Sequence, residues 1–89
     1  MERPWEADPS AGFKRRLGKT AAELGDSRTT QDCPEIWELD NGDFAFVGRD
    51  LTEAYAHRLP PGVRIGPDER LLVLPGNMVQ AAKRDIPDA

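Results

Sequence analysis

Cys33 and His57 are the only thiol and the only imidazole in this chain, and they bound the chemistry open to it. A thiol nucleophile needs a neighbouring base to draw off its proton. His57, the one imidazole, stands beside Arg58 on what reads as a short surface helix, and Cys33 precedes Pro34. Cys33 therefore reads as a buried or merely tolerated thiol. A zinc ion held by Cys and His within one chain would have only these two ligands, and no carboxylate spacing completes the set. A single cysteine also excludes an internal disulfide. Ser10 and Ser27 lie outside any Gly-x-Ser-x-Gly turn, and no glycine-rich phosphate loop is present. Asp40-Asn41-Gly42-Asp43 looks like the start of a calcium loop, but Gly42 falls where an EF-hand needs an oxygen ligand. The expectation is a chain that is not an enzyme and carries neither cofactor nor metal.

What remains is recognition. Lys14, Arg15, Arg16 and Lys19 form the one basic cluster, and they are the candidate interaction surface. On a helix, Arg15, Arg16 and Lys19 fall on the side opposite the apolar residues, which is also how an ordinary solvated face looks. They crowd the first half of that helix, where its dipole disfavours cations. Arg49-Asp50 is a second candidate pair, though an Asp there more often caps a helix while the Arg covers the sheet edge.

The charge balance qualifies both. Residues 1–28 carry a net charge of +1 and residues 29–89 a net of −5, giving −4 over 89 residues. An acidic body repels phosphate backbones at long range, which counts against nucleic acid as the main partner. No apolar run approaches the roughly 18 residues of a membrane span, and the N-terminus lacks a signal-peptide layout. A cytoplasmic protein is expected.

These residues must be positioned by few elements. Residues 1–9 read as a flexible arm with Trp5 as its one large apolar group. Phe13, Leu17, Ala21 and Leu24 recur at helical spacing and predict an amphipathic helix over 10–25, capped by Ser10 and stopped by Gly25. Residues 26–34 form a linker rich in turn formers. The segment 35–87 is the expected compact domain. Within it, EIWELDNGDFAFVG predicts a hairpin turning on Asn41-Gly42, with Trp37 opposite Phe46 and Leu39 opposite Phe44 on one buried face. Asp40 would then face Asp43, an unfavourable like-charge pair. Asp50 and Glu53 open a two-turn helix. A second hairpin turns at Gly66-Pro67-Asp68-Glu69, with Val63 opposite Leu72 and the last strand covered on both sides. Asn77 caps a closing helix whose Met78, Val79 and Ala82 face inward. The fold class is α+β: two hairpins in a small, mostly antiparallel sheet, helices on one face, and an N-terminal amphipathic helix in front.

With those residues in view, CPEIWELDNGDFAFVGRDLT and LPPGVRIGPDERLLVLPGNMVQAAKRDIP resemble small actinobacterial proteins of streptomycete type that have no assigned activity. The resemblance covers residues 33–87, with a weaker echo in FKRRLGKTAAELGD. It implies a bacterial cytoplasmic setting and transfers no catalytic or binding residue. The leading expectation is a non-enzymatic protein-interaction or regulatory accessory module, whose partner is another protein or a second copy of itself. Two alternatives stay open: nucleic-acid binding through the basic cluster, and a small enzyme or ligand carrier using a pocket between sheet and helices.

Overall fold

Residues 13–16 form a strand, not a helix, and the reason lies across the sheet. A computed structural model describes residues 4–29 and 31–88. In it β1 (Phe13–Arg16) pairs antiparallel with β2 (Glu35–Leu39). The ladder places Arg15 against Glu38 and Arg16 against Trp37, with a β-bulge between Phe13 and Arg15. A bulge sets two residues against one on the partner strand. Here it brings both Lys14 and Arg15 to Glu38, at 4.0 and 2.8 Å. Arg16 reaches Glu35 at 2.7 Å. A helix would have gathered these cations at its positive end; the strand gives each a carboxylate. The amphipathic helix expected over 10–25 is thus corrected to a strand followed by one helical turn.

That turn has its own signature. Thr20 and Glu23 cap each other reciprocally: the Thr20 amide donates to Glu23 Oε1 at 2.9 Å, and the Glu23 amide to Thr20 Oγ1 at 3.1 Å. This is a capping box, ten residues beyond the Ser10 cap that the sequence suggested. The Leu24 amide donates to Thr20 O, and Gly25 closes the turn. Between strand and turn stands Gly18, at φ +73°, a left-handed conformation that β-carbon-bearing residues avoid. A β-carbon there would also lie 2.8 Å from the Ala82 backbone nitrogen, so the chain can cross the last helix closely only at a glycine.

The first hairpin forms, but one residue out of the expected register. Leu39 donates to Asp43 O at 2.8 Å and Gly42 donates back to Leu39 O at 3.2 Å. The loop is therefore the three residues Asp40-Asn41-Gly42, with Gly42 at φ +90°. β3 (Phe44–Val47) consequently pairs as Glu38 with Phe44, Trp37 with Ala45 and Ile36 with Phe46. A slip of one residue exchanges the two faces. Trp37 and Phe46, expected side by side, lie on opposite faces of the sheet. The extra loop residue also removes the Asp40–Asp43 conflict, because Asp40 leaves the ladder and donates its amide to Gly12 O.

The second predicted hairpin does not form. Its turn is present, with Glu69 donating to Gly66 O at 3.0 Å, but residues 63–65 take no strand. Instead β5 (Leu72–Val73) pairs antiparallel with β4 (Arg49–Asp50), a separate two-stranded sheet. Gly48 joins the sheets, and a β-carbon there would meet Val73 O at 2.8 Å. Asp50 accepts from the amide and hydroxyl of Thr52 ahead of the single-turn helix α1 (Thr52–Tyr55). α2 (Gly76–Ala82) closes the chain, running into a 3₁₀ turn at Lys83–Asp85. Pro75 takes the cap position expected of Asn77, whose side chain donates to Asp26 instead.

The core comprises Leu17, Ala21, Cys33, Ile36, Met78 and Ala82, with Leu24 and Leu74 packed against it. Residues before 35 contribute half of it, so the compact unit begins well ahead of the boundary expected at 35. Val79, expected inside, is exposed. The architecture is α+β, with α2 and the Thr20–Gly25 turn packed against the three-stranded sheet. The arm expected over 1–9 lies partly outside the described residues, as does residue 30 of the expected linker. Within the arm, Trp5 Nε1 donates to Asp43 Oδ2 at 3.3 Å.

Candidate interaction surface

The basic cluster is the first place to look, and most of it is engaged. Lys14 and Arg15 face the buried Glu38, and Arg16 faces Glu35. Arg15 also reaches the carbonyl of Asp85, tying the strand to the C-terminal turn. Lys19 is exposed beyond the strand. The four residues do not form one continuous cationic face: Arg15 points with Glu38 and Leu17 toward the core side, and Arg16 lies on the other side with Trp37. There its guanidinium sits 4.7 Å over the indole ring, which meets Phe13 edge-on at 5.4 Å. The cluster is built as a set of carboxylate partners for β2.

Displaced carboxylates cluster at catalytic sites and also in structural hydrogen-bond networks. Glu35, Asp8, Glu23 and Asp50 are shifted downward, each first through local hydrogen bonds that favour the charged form. The Trp37 indole, donating at 2.6 Å, and then the Arg16 guanidinium hold Glu35 below its ordinary value. The Ser10 hydroxyl does the same for Asp8, the Thr20 amide for Glu23, and the Thr52 hydroxyl for Asp50. None is poised to move a proton near neutral pH. None lines the broad groove of about 740 Å³ between Pro4–Ala7 and the loop bearing Val63, Ile65 and Leu71.

The thiol is likewise built in. Cys33 Sγ donates to Gln31 O at 3.0 Å and Thr29 O at 3.1 Å, and lies 2.8 Å from Ser27 Oγ. These bonds gather Ser27, Thr29 and Gln31 around a buried sulfur. Among the described residues no group of three His, Cys, Asp or Glu side chains could hold a metal ion, and no helix is long and apolar enough to cross a membrane.

The surface that stands out is β3. It is an edge of the three-stranded sheet, with sequence Phe-Ala-Phe-Val and no charge or proline. By register Phe44 and Phe46 share the face of Ile36 and Glu38, the core face. Yet Phe44 is 42% exposed and Phe46 53%, because the cover from α2 and the Thr20–Gly25 turn ends over β1 and β2. Val47, on the opposite face, is also 53% exposed. Sheet edges are ordinarily blunted with charge, proline or a covering loop. This one is apolar on both faces. The sequence reading missed it because the assumed register placed Phe44 and Phe46 against Leu39 and Trp37; the uncharged run itself was visible. No family model, curated protein or solved structure matches the chain.

Proposed function

We propose that this protein is a non-enzymatic interaction module, a regulatory accessory of a bacterial cytoplasm, whose working surface is the edge strand β3. One observation carries the reading: Phe44, Phe46 and Val47 leave an uncharged strand open on both faces. An extended segment of another protein gains affinity on such an edge from main-chain hydrogen bonds and specificity from alternate side chains. The engagement of Lys14, Arg15 and Arg16 by Glu35 and Glu38 counts against a phosphate-binding face. The local, structural origin of the shifts at Asp8, Glu23, Glu35 and Asp50 counts against their use in acid–base catalysis.

Affinity capture from the native host, comparing wild type with Phe46→Lys, tests this. Wild type is expected to retain a defined protein, and the variant to lose it while keeping its fold by circular dichroism. Equal capture by both, or a thermal shift with a metabolite and no captured protein, overturns the reading.

A further inference from the structure

We propose that β3 is a self-recognition strand: two copies of the chain pair antiparallel along it, about a two-fold axis through Phe46. The inference rests on the interaction reading and names its partner as a second copy.

The phase of the hydrogen bonds fixes which groups of β3 face outward. Leu39 donates to Asp43 O at 2.8 Å, so Leu39 and Asp43 form a hydrogen-bonded pair. In an antiparallel ladder such pairs alternate with non-bonded ones. Ala45 and Val47 therefore turn their backbone groups toward β2, and Phe44 and Phe46 turn theirs outward. Gly48 belongs to neither strand, and beyond it Arg49 pairs with Val73 and Leu51 donates to Leu71 O, which keeps the odd-numbered residues as the bonded ones. Among the described residues, no backbone hydrogen bond to Phe44, Phe46 or Gly48 occupies that outer edge. A strand can add there only in a register that brings outward groups to outward groups.

Self-pairing centred on Phe46 is such a register. Phe46 meets Phe46 of the second copy, and Phe44 meets Gly48, each pair exchanging both of its hydrogen bonds. Side chains directly opposite share a face. On one face Phe46 packs on its own copy, and the Phe44 ring comes to Gly48 and the Leu74 side chain that lies over it. On the other face Ala45 stands beside Val47, and Asp43 faces Arg49.

Charge then selects this register over its neighbours. Asp43 and Arg49 flank the uncharged strand symmetrically about Phe46, so the two-fold axis brings opposite charges together at both ends. Shifting by two residues either way sets Asp43 against Val47, or Arg49 against Ala45. Arg49 is exposed and enters no ion pair among the described residues. The hydrogen bonds from Trp5 and Asn41 converge on Asp43 Oδ2, which leaves Oδ1 directed at no described donor. Two-fold pairing of this kind is closed, because each copy uses the edge once and offers none onward. The contact is one strand long, which places it with small, concentration-dependent interfaces of less than about 1,000 Å².

Sedimentation equilibrium on the full chain between about 1 µM and 1 mM, the span of weak interfaces, tests the proposal. Wild type is expected to dimerise within that span. Asp43→Arg and Arg49→Asp, each opposing like charges, are each expected to weaken the dimer by about tenfold or more. The double variant Asp43→Arg/Arg49→Asp is expected to recover to within about threefold of wild type, since the pair is restored in reverse. Arg49 lies outside the hairpin loop, so its variant reads the interface without touching the turn that Asp43 closes. A wild type that stays monomeric at 1 mM overturns the dimer, while leaving β3-dependent capture of a different protein intact in the Phe46→Lys comparison. A dimer indifferent to both single reversals, or one the double variant fails to restore, uses another surface and overturns it equally.

Discussion

The two sheets of this small protein are held together in different ways. The three-stranded sheet rests on a dry core in which Leu17, Met78 and Ala82 are essentially inaccessible. The β4–β5 pair and its loop have nothing comparable. α1 buries no residue, and Leu72 and Val73 are more than a third exposed. That lobe is held by hydrogen bonds: Leu51 to Leu71 O at 3.0 Å, Leu71 to Thr52 Oγ1 at 2.8 Å, and Gly66 to Glu69 Oε1 at 2.7 Å. A hydrogen bond adds about 1 kcal/mol net, whereas a well-packed aliphatic side chain adds more. A chain of 89 residues thus concentrates its burial in one place and lets the remainder ride on local turns.

The largest expected effect follows directly. Met78→Ala and Leu17→Ala each remove a fully buried side chain and are expected to cost about 2–5 kcal/mol in urea unfolding. Leu72→Ala and Val73→Ala, in the other sheet, are expected to cost less than about 1 kcal/mol, as partly exposed sites do. Equal losses in the two sets would show that the lobe has a core of its own and end the contrast.

A second substitution sharpens the contrast at the backbone. Gly18→Ala confronts both a left-handed φ of +73° and an approach of 2.8 Å to the Ala82 nitrogen, which belongs to helix backbone and cannot swing aside. A non-glycine residue held at such a φ costs about 1–3 kcal/mol before any clash. Gly62, at φ +84° in the lobe, has open space around the same position. Gly62→Ala is expected to cost only the conformational part, toward the lower end of that range. A thermal melt that ranks Gly62→Ala as the more damaging change would mean the helix does not pack where Gly18 places it.

Much of this arrangement could be read from the residues, and the failures have physical causes. Leu17, Ala21 and Leu24 were recognisable as apolar and inward; what periodicity could not decide was the backbone that carries them. Strand and helix both bring Leu17 inward. The deciding interaction is the pairing of Lys14, Arg15 and Arg16 with Glu38 and Glu35, some twenty residues away and invisible to a local window. The mild conflict between those cations and a helix dipole was the one local hint. The hairpin was legible as a hairpin because Asn-Gly punctuates two apolar runs. Its register turned on whether Asp40 belonged to the strand or the loop, and the like-charge clash with Asp43 was the sign that it belonged to the loop. Residues 63–65 looked like a strand by composition, but β5 found β4 instead, through the close approach that Gly48 permits. The candidate surface was hidden by the same one-residue error, since exposure of Phe44 and Phe46 depends on which neighbours the register gives them.

The smallest expected effect concerns acid. Glu35 and Asp50 are both held below their ordinary values, of 4.5 and 3.8, one on each sheet. The Glu35 carboxylate is part-buried under the Trp37 indole and the Arg16 guanidinium; Asp50 bonds Thr52 in open solvent. For a carboxylate whose folded value is depressed, the contribution to stability is complete above the unfolded value and lost as pH falls through the folded one. Stability should therefore hold down to about pH 4.5, then decline as the pH drops further. Glu35→Gln is expected to lower stability at neutral pH and flatten that decline measurably. Asp50→Asn should flatten it less, because solvent screens an exposed bond. Melting temperatures between pH 7 and 3, followed by Trp37 fluorescence in a Trp5→Phe background, distinguish the two. If Asp50→Asn flattened the profile as much as Glu35→Gln, electrostatic as well as apolar burial would be shared between the sheets. The contrast between the packed half and the hydrogen-bonded half would then rest on side-chain volume alone.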